Sequence, residues 1–264
     1  MPHDLSDAIL PHLAHYAVGM VLRELGEESR VLGSGTLVSI EGRRGILTCG
    51  HVAERYERLP EIGLVRFAGT ATKRQQRILS LGDTKTMIVQ SSNSFEDGKE
   101  VLDLAFTALP PEIASSLEAQ GLFLSLETNR AKMEEWASTR EKSIDAVLGL
   151  VEEFSTPSFK EGREFISPMR GVLHSGHVTA RENGLLTLKA MEYNRPQLPK
   201  CFGGMSGGGL WRIYYDESED DPSIAAAMLC GVVSWQIDDT NLACQGWDRI
   251  DQGLVPAVRQ NLPL

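Results

Sequence analysis

The first chemical signal in the chain is a serine set among glycines. Residues 201–213 read CFGGMSGGGLWRI, with two glycines before Met205 and Ser206 and three after. Glycines in such number cost conformational entropy on folding, so something must require a bare backbone there. A nucleophile with amides gathered around it would require one, and so would a tight hairpin entry. A serine nucleophile needs a histidine as base and an acid to orient that histidine. All six histidines (His3, His12, His15, His51, His174 and His177) precede Ser206. That excludes a nucleophile elbow, in which acid and histidine follow the serine. An order with aspartate first offers His51 only Asp4 and Asp7, both in an expected N-terminal helix. The order His, Asp, Ser remains. No aspartate lies between His177 and Ser206, so neither His174 nor His177 can lead it. His51 can, with Asp83, Asp97, Asp103 or Asp145 as the acid.

Local context separates the four. His51 follows GILTCG, an apolar run ending in a glycine turn, which presents the imidazole at a strand end. Asp103 sits in VLDLAF, among apolar neighbours. A buried carboxylate needs a partner, and an imidazole N–H supplies one. Asp83 and Asp97 lie in LGDT and FEDGK, which are turn sequences, and Asp145 opens a later strand. Asp103 is the choice. It stands 52 residues after His51 and 103 before Ser206, so a cleft between two halves of the chain must unite the three.

The elements that would position these residues are mostly strands. Residues 4–15 suit a short helix that Pro11 limits to a turn or two. From Tyr16 the texture is β: YAVGMVLREL, RVLGSGTLVSI, RRGILTCGHV, LVRFAG, QRILSLG, KTMIVQSS and VLDLAFTAL recur at barrel or sandwich spacing. Residues 110–144 are richer in Ala, Glu and Lys and read as a partly helical connection. A second β-rich half follows, ending in a short helix at DQGLVPAVRQNL. The acidic DESEDDPS (216–223) reads as a solvated hairpin tip. The domain reading is therefore 16–109, carrying His51 and Asp103; a connection at 110–144; and 145–264, carrying Ser206 and the C-terminal helix.

Composition excludes several classes. The chain has 264 residues, 42% of them hydrophobic, and a formal net charge of -10 without a Lys/Arg cluster. That argues against nucleic acid or an anionic membrane as partner. No run approaches the ~18 apolar residues of a membrane span. The opening MPHDLSDAILPHL has no basic start followed by an apolar core, so no secretory signal is read and a cytoplasmic location is expected. Cys49, Cys201, Cys230 and Cys244 are widely spaced, which suits reduced thiols better than zinc ligands. HSGH (174–177) points its histidines to opposite faces of a strand, and GSG (33–35) is a strand entry lacking the third glycine of a dinucleotide loop. No metal and no cofactor is expected.

GSGTLV with GILTCGHVA, then LDLAFTAL, GMSGGGL and GVVSW, taken together and in this order, resemble the trypsin/chymotrypsin-like serine proteases over about residues 16–255. The resemblance implies an all-β fold of two packed antiparallel barrels and a serine endopeptidase working through an acyl-enzyme. It implies His51 as general base and acid, Asp103 as its orienter, Ser206 as nucleophile, and the amides of Gly204 and Ser206 as the oxyanion hole. Ser234 would support Asp103, Trp235 would line the cleft, and the 234–236 backbone, Gln236 included, would pair with an extended polypeptide substrate. Counting back from Ser206 places Lys200 at the base of the specificity pocket, which would favour an acidic side chain.

Departures from the family pattern accompany the match. Met205 stands where animal members carry an aspartate that receives a new N-terminal ammonium, so activation by that route is not expected. Val52 replaces a cysteine beside the histidine, and Gly209 replaces a proline. Cys201 and Cys244 approximate another family bridge, the alternative to reduced thiols. The expectation is a bacterial-type intracellular protease, with an effector switched on by a protein partner as one form of it. The alternative is a catalytically silent peptide-binding module on the same fold.

Overall fold

The computed structural model describes residues 3–22, 30–67, 74–89, 101–119, 121–138, 142–155, 158–160, 163–165, 171–190, 199–216 and 223–262. It is mostly β. After helix α1 (His3–Ala14) come strands β1 (Ala17–Leu22), β2 (Arg30–Ile40) and β3 (Arg43–Thr48). Helix α2 (Gly50–Tyr56) leads to β4 (Glu61–Phe67), β5 (Arg74–Ser80), β6 (Lys85–Val89) and β7 (Leu104–Ala108). Helix α3 (Pro111–Glu118), the short β8 (Leu124–Ser125) and helix α4 (Leu126–Trp136) form the middle of the chain. Then follow β9 (Ser143–Leu150), β10 (Ser158–Lys160), β11 (Arg163–Phe165), β12 (Gly171–Ala180) and β13 (Leu185–Ala190). The chain closes with β14 (Gly209–Asp216), β15 (Ser223–Gln236), β16 (Asn241–Gly246), α5 (Trp247–Arg249) and, after a π-helical turn, α6 (Val255–Asn261).

The later strands close a barrel in the order β12-β13-β16-β15-β14-β9, while among the described residues β10 and β11 pair only with each other. The earlier strands form one sheet in the order β5-β4-β1-β2-β3-β7-β6, with β8 added parallel to β2. Among the described residues this sheet is open, so of the expected two packed antiparallel barrels the mostly β fold and one closed barrel are shown. Strands β5 and β6 are consecutive yet pair only with β4 and β7 respectively. The polar sequence RQQR at the start of β5 suits an edge that is left unpaired.

Alternation along the barrel strands sorts side chains into two cores. Val147 of β9 joins Leu188, Leu210, Val233, Leu242 and Cys244 in one cluster. Its neighbours Ala146, Leu148 and Leu150 point the other way, into a larger cluster shared with the open sheet. That shared core fuses the two sheets along β1, β2 and β9. Helix α1 packs on β1, β9 and β15 through a stripe of Leu5, Ile9 and Leu13, all at most 3% exposed. This burial carries the helix through Pro11, so α1 runs 12 residues rather than the expected turn or two.

Two polar side chains fasten the helices. Arg66 is buried, and its guanidinium donates to Leu117 O at 3.0 Å and His15 O at 3.1 Å, satisfying carbonyls at or just past the ends of α3 and α1. Asn129 of α4 is fully buried and pairs in both directions with Leu229: its Nδ2 donates to Leu229 O and its Oδ1 accepts from Leu229 N, each at 2.9 Å. The amide thus acts as a one-residue strand beside the register shift between Leu210 and Trp211. The acidic tip expected at 216–223 has its ends paired, Asp216 with Ser223, and its residues 217–222 lie outside the described residues.

Asn129→Ala strips both partners from the buried Leu229 peptide groups. Urea unfolding is expected to show a loss of about 1–3 kcal/mol with an unchanged slope. A change within about 0.5 kcal/mol, the range of ordinary surface substitutions, would show that α4 is not held by this pair.

Candidate active site

His51 is placed by the short helix that follows β3. Val52, Ala53 and Tyr56 of α2 are buried against the open sheet, and Tyr56 Oη bonds Thr107 Oγ1 of β7 at 2.8 Å. The helix is thereby fixed with the His51 imidazole turned to a cleft, its side chain 23% exposed. Asp103 lies immediately before β7 and is 1% exposed. Its Oδ1 accepts from the His51 backbone N–H at 2.9 Å, and its Oδ2 lies 2.7 Å from His51 Nδ1. One residue thus supplies two donors to the carboxylate. Because an ionised carboxylate only accepts, the hydrogen resides on Nδ1 and Nε2 is left basic toward the cleft. The competing acids are accounted for: Asp83 is exposed in the turn after β5, and Asp97 lies outside the described residues. Asp145 is spent on Arg212, Oδ1 to Nε at 2.9 Å, and on Val178 N at 3.2 Å.

The serine turn runs from Gly203 to Gly208. Two of its carbonyls are engaged: Gly203 O accepts from Glu152 N, just past β9, at 2.8 Å, and Met205 O from Gly208 N within the turn at 2.9 Å. In a trans peptide the N–H points opposite to the C=O. The amides of Gly204 and Ser206 therefore face away from these contacts, and neither donates in any described hydrogen bond. Two glycines make the turn possible. Gly204 has φ +89°, and Gly207 has φ +90° with room for nothing more: a Cβ there would stand 1.9 Å from Ser34 O. Met205, fully buried, seats the turn in the barrel core, an apolar burial worth about 1.5–3 kcal/mol.

Ser34, the middle residue of GSG, holds the turn from the other side. Its N–H donates to Ser206 O at 2.8 Å. Its Oγ donates to Gly204 O at 2.7 Å and accepts from Leu150 N at 2.8 Å. Thr48 Oγ1 donates to Ser34 O at 2.7 Å. A fully buried serine thus joins β2, β3, β9 and both ends of the tripeptide 204–206. The strand-entry reading of GSG missed this role.

The cleft has a volume of about 660 Å³ and is lined by His51, Asp103, Ser206, Ser234, Trp235 and Gln236, among others. Three details differ from expectation. The Ser206 hydroxyl donates to Ser234 O at 2.8 Å, so in this structure it is turned to β15 and not bonded to His51. Ser234, fully buried, has its described side-chain contact with Cys49 Sγ at 4.0 Å, and none with Asp103 is described. Lys200 is exposed and does not line the cleft; only its carbonyl takes part, accepting from Gln236 Nε2. Glu54 and Arg55 also line the cleft, three and four residues beyond His51 on one helix face, a spacing that offered the signal.

Cys49, His51 and Asp103 bring donor atoms within 4.8 Å of one another. Each of these groups has a protein partner in this structure: imidazole and carboxylate share a hydrogen bond, and the Cys49 thiol donates to Val233 O at 3.0 Å. Burial and the nearby Asp103 carboxylate push that thiol well above its ordinary value, against the thiolate a metal would need. All four cysteines are free, which sets aside the Cys201–Cys244 bridge: Cys201 is exposed while Cys244 is buried in the barrel core.

No family model and no curated protein matches the chain. A chain from a solved structure, reported in work on aromatic interactions that drive the coupled folding and binding of the intrinsically disordered Sesbania mosaic virus VPg protein, is similar at 14% identity and TM-score 0.45. The alignment covers 89% of this chain and 87% of that one. Among the described residues no helix is long and apolar enough to cross a membrane.

The thiols give a direct check on the loop bearing Cys201. Burial pushes the Cys244 thiol up to about 12, and Cys49 is equally enclosed. With an aromatic disulfide reagent at pH 8, Cys201 is expected to react at once, and Cys49 and Cys244 only after denaturation. Cys201 and Cys244 inert together, with an intact mass about 2 Da low, would restore the bridge.

Proposed function

We propose that the chain is a serine-type endopeptidase of the chymotrypsin-like kind, with the open sheet in the place of the first barrel. The supporting observation is a convergence on one cleft. The 2.7 Å imidazole–carboxylate pair meets there a serine turn whose two amides have no described acceptor. In this reading a polypeptide lies along Ser234–Gln236 and presents its carbonyl carbon to Ser206 Oγ. The hydroxyl leaves Ser234 O and turns to His51 Nε2, which takes its proton as Oγ attacks. Asp103 holds the imidazole in place and stabilises the imidazolium. The Gly204 and Ser206 amides receive the oxyanion, a contribution of about 3–4 kcal/mol per donor at such sites. Nε2 then protonates the leaving amine, and water repeats the sequence on the acyl-enzyme. No cofactor enters any step.

One observation favours the silent peptide-binding module instead: the Ser206 hydroxyl is bonded to Ser234 O. In an active enzyme that bond must be exchanged, by the substrate or by an activating protein partner. Equal peptide binding by wild type and Ser206→Ala, with no cleavage by either, would establish the module.

The enzyme reading is tested by a fluorophosphonate probe and a peptide substrate library. Ser206 is expected to label, and Ser206→Ala to lose turnover by about 10⁴- to 10⁶-fold while melting like the wild type. Absence of label on wild-type protein under all conditions tried would sink catalysis. Ser34→Ala frees the Gly204 carbonyl without touching substrate. Its kcat is expected to fall about 10- to 100-fold with KM little moved. A change in KM alone would mean that Ser34 does not set the turn.

A further inference from the structure

Asp103 stands just outside the sheet that follows it. Strand β7 begins at Leu104, which pairs with Val89 of β6, and Ala105 is the first residue paired with β3, at Thr48. Residues 101–103 precede that ladder and belong to no strand. The bonds between Asp103 and His51 join these two residues to each other. A carboxylate that must keep one direction also needs its own backbone held on both sides.

The barrel half supplies the missing hold. Arg249, the last residue of α5, donates from Nη1 to Val101 O at 3.1 Å, across 148 positions of sequence. The same Nη1 donates to Gln245 Oε1 at 2.8 Å, and Nε donates to Asn183 O at 2.6 Å. Gln245 belongs to β16 and is fully buried, so the guanidinium is aimed from the barrel wall. A charged donor on a carbonyl makes one of the stronger hydrogen bonds, and the planar fork fixes its direction. The next residue is held by packing. Leu102 lies against Gly253 of the π-helical turn Ile250–Leu254, where a Cβ would stand 2.8 Å from Leu102 Cδ2. Ile250 and Leu254 are themselves fully buried in the shared core. Val101 is thus clasped by its carbonyl and Leu102 by its side chain, immediately before Asp103.

We infer that Arg249 is a positioning residue. By holding Val101 O from the barrel, it sets the direction in which Asp103 presents its carboxylate to His51 Nδ1. Its effect on turnover rests on the hydrolase reading; its effect on the imidazole does not.

The test reads the tautomer of His51 from its ring nitrogen shifts, in protein labelled with nitrogen-15 histidine and at a pH where the imidazole is neutral. The resonances are assigned by their loss in His51→Gln. Which nitrogen carries the hydrogen is set by the partner it finds, so the tautomer reports the carboxylate and not general stability. Wild type is expected to carry the hydrogen on Nδ1. Arg249→Ala is expected to lower the ratio of Nδ1–H to Nε2–H about 10-fold, the scale of a lost charged hydrogen bond. Arg249→Lys keeps the charge without the planar fork; it is expected to fall between, and it carries the test where the alanine variant does not fold. Asn129→Ala, which weakens the fold elsewhere, is expected to leave the ratio at the wild-type value. In the peptidase assay, kcat of Arg249→Ala is expected to fall about 10-fold with KM little moved. A wild-type ratio in the folded Arg249 variants would overturn the positioning role, whether or not Ser206 labels. An equal fall in Asn129→Ala, or mixed tautomers in the wild type, would overturn it too. No fluorophosphonate label on the wild type would overturn the hydrolase reading, and the tautomer would still decide the role of Arg249.

Discussion

The hydrogen bonds of Ser34 are the constraint on which the rest of the site depends. One buried residue of β2 holds Gly204 O and Ser206 O, receives Leu150 N from β9, and is held in turn by Thr48 at the end of β3. Remove any of these partners and a buried polar group is left with nothing to replace it. The sheet carrying the histidine and the barrel carrying the serine are therefore registered to each other at Ser206 itself. The same contact explains why the turn needs Gly207. The closeness that lets Ser34 reach the turn leaves no volume for a side chain there. Histidine and aspartate are fixed to each other by a separate, local device, the double use of His51 as backbone and side-chain donor.

How much of this was legible in the chain depends on whether a residue's surroundings are written next to it. Asp103 is an acid among apolar neighbours, and that local anomaly pointed to a buried, partnered carboxylate. The glycines around Ser206 likewise advertised a backbone that must pass close to something. What they pass close to is 170 residues away, and nothing in GSG distinguishes a serine that braces a distant turn from one that begins a strand. Asn129 was hidden for the same reason. It looks like an ordinary polar residue of a surface helix, and its partner, the Leu229 peptide, has no side-chain signature. Lys200 failed differently, because counting along a chain gives a position and not a direction. The closure of the barrel and the opening of the other sheet depend on pairings between strands that neighbour in sequence only sometimes, which alternation alone does not encode.

The Ser206 hydroxyl and the Gln236 carboxamide share a logic. Each is satisfied by a backbone group of the cleft in the state described, Ser234 O for one and the 200–202 loop for the other. These two side chains are thus satisfied from within the cleft, while the Gly204 and Ser206 amides have no described acceptor. In the proposed reading a peptide entering the cleft competes with these two internal partners, and discrimination follows from which of them it can replace.

Met205 has a consequence of a different kind. A turn secured by an ion pair loosens as the pair titrates or as salt screens it, and so takes its conformation from the medium. A thioether sunk among Val147, Leu210 and Val233 has no charge to lose and no field to screen. Its hold varies instead with temperature, weakening on cooling as the hydration of apolar surface becomes less unfavourable, and carries a heat-capacity signature. The hold of Met205 on the turn around Ser206 is in this sense thermally, not ionically, set.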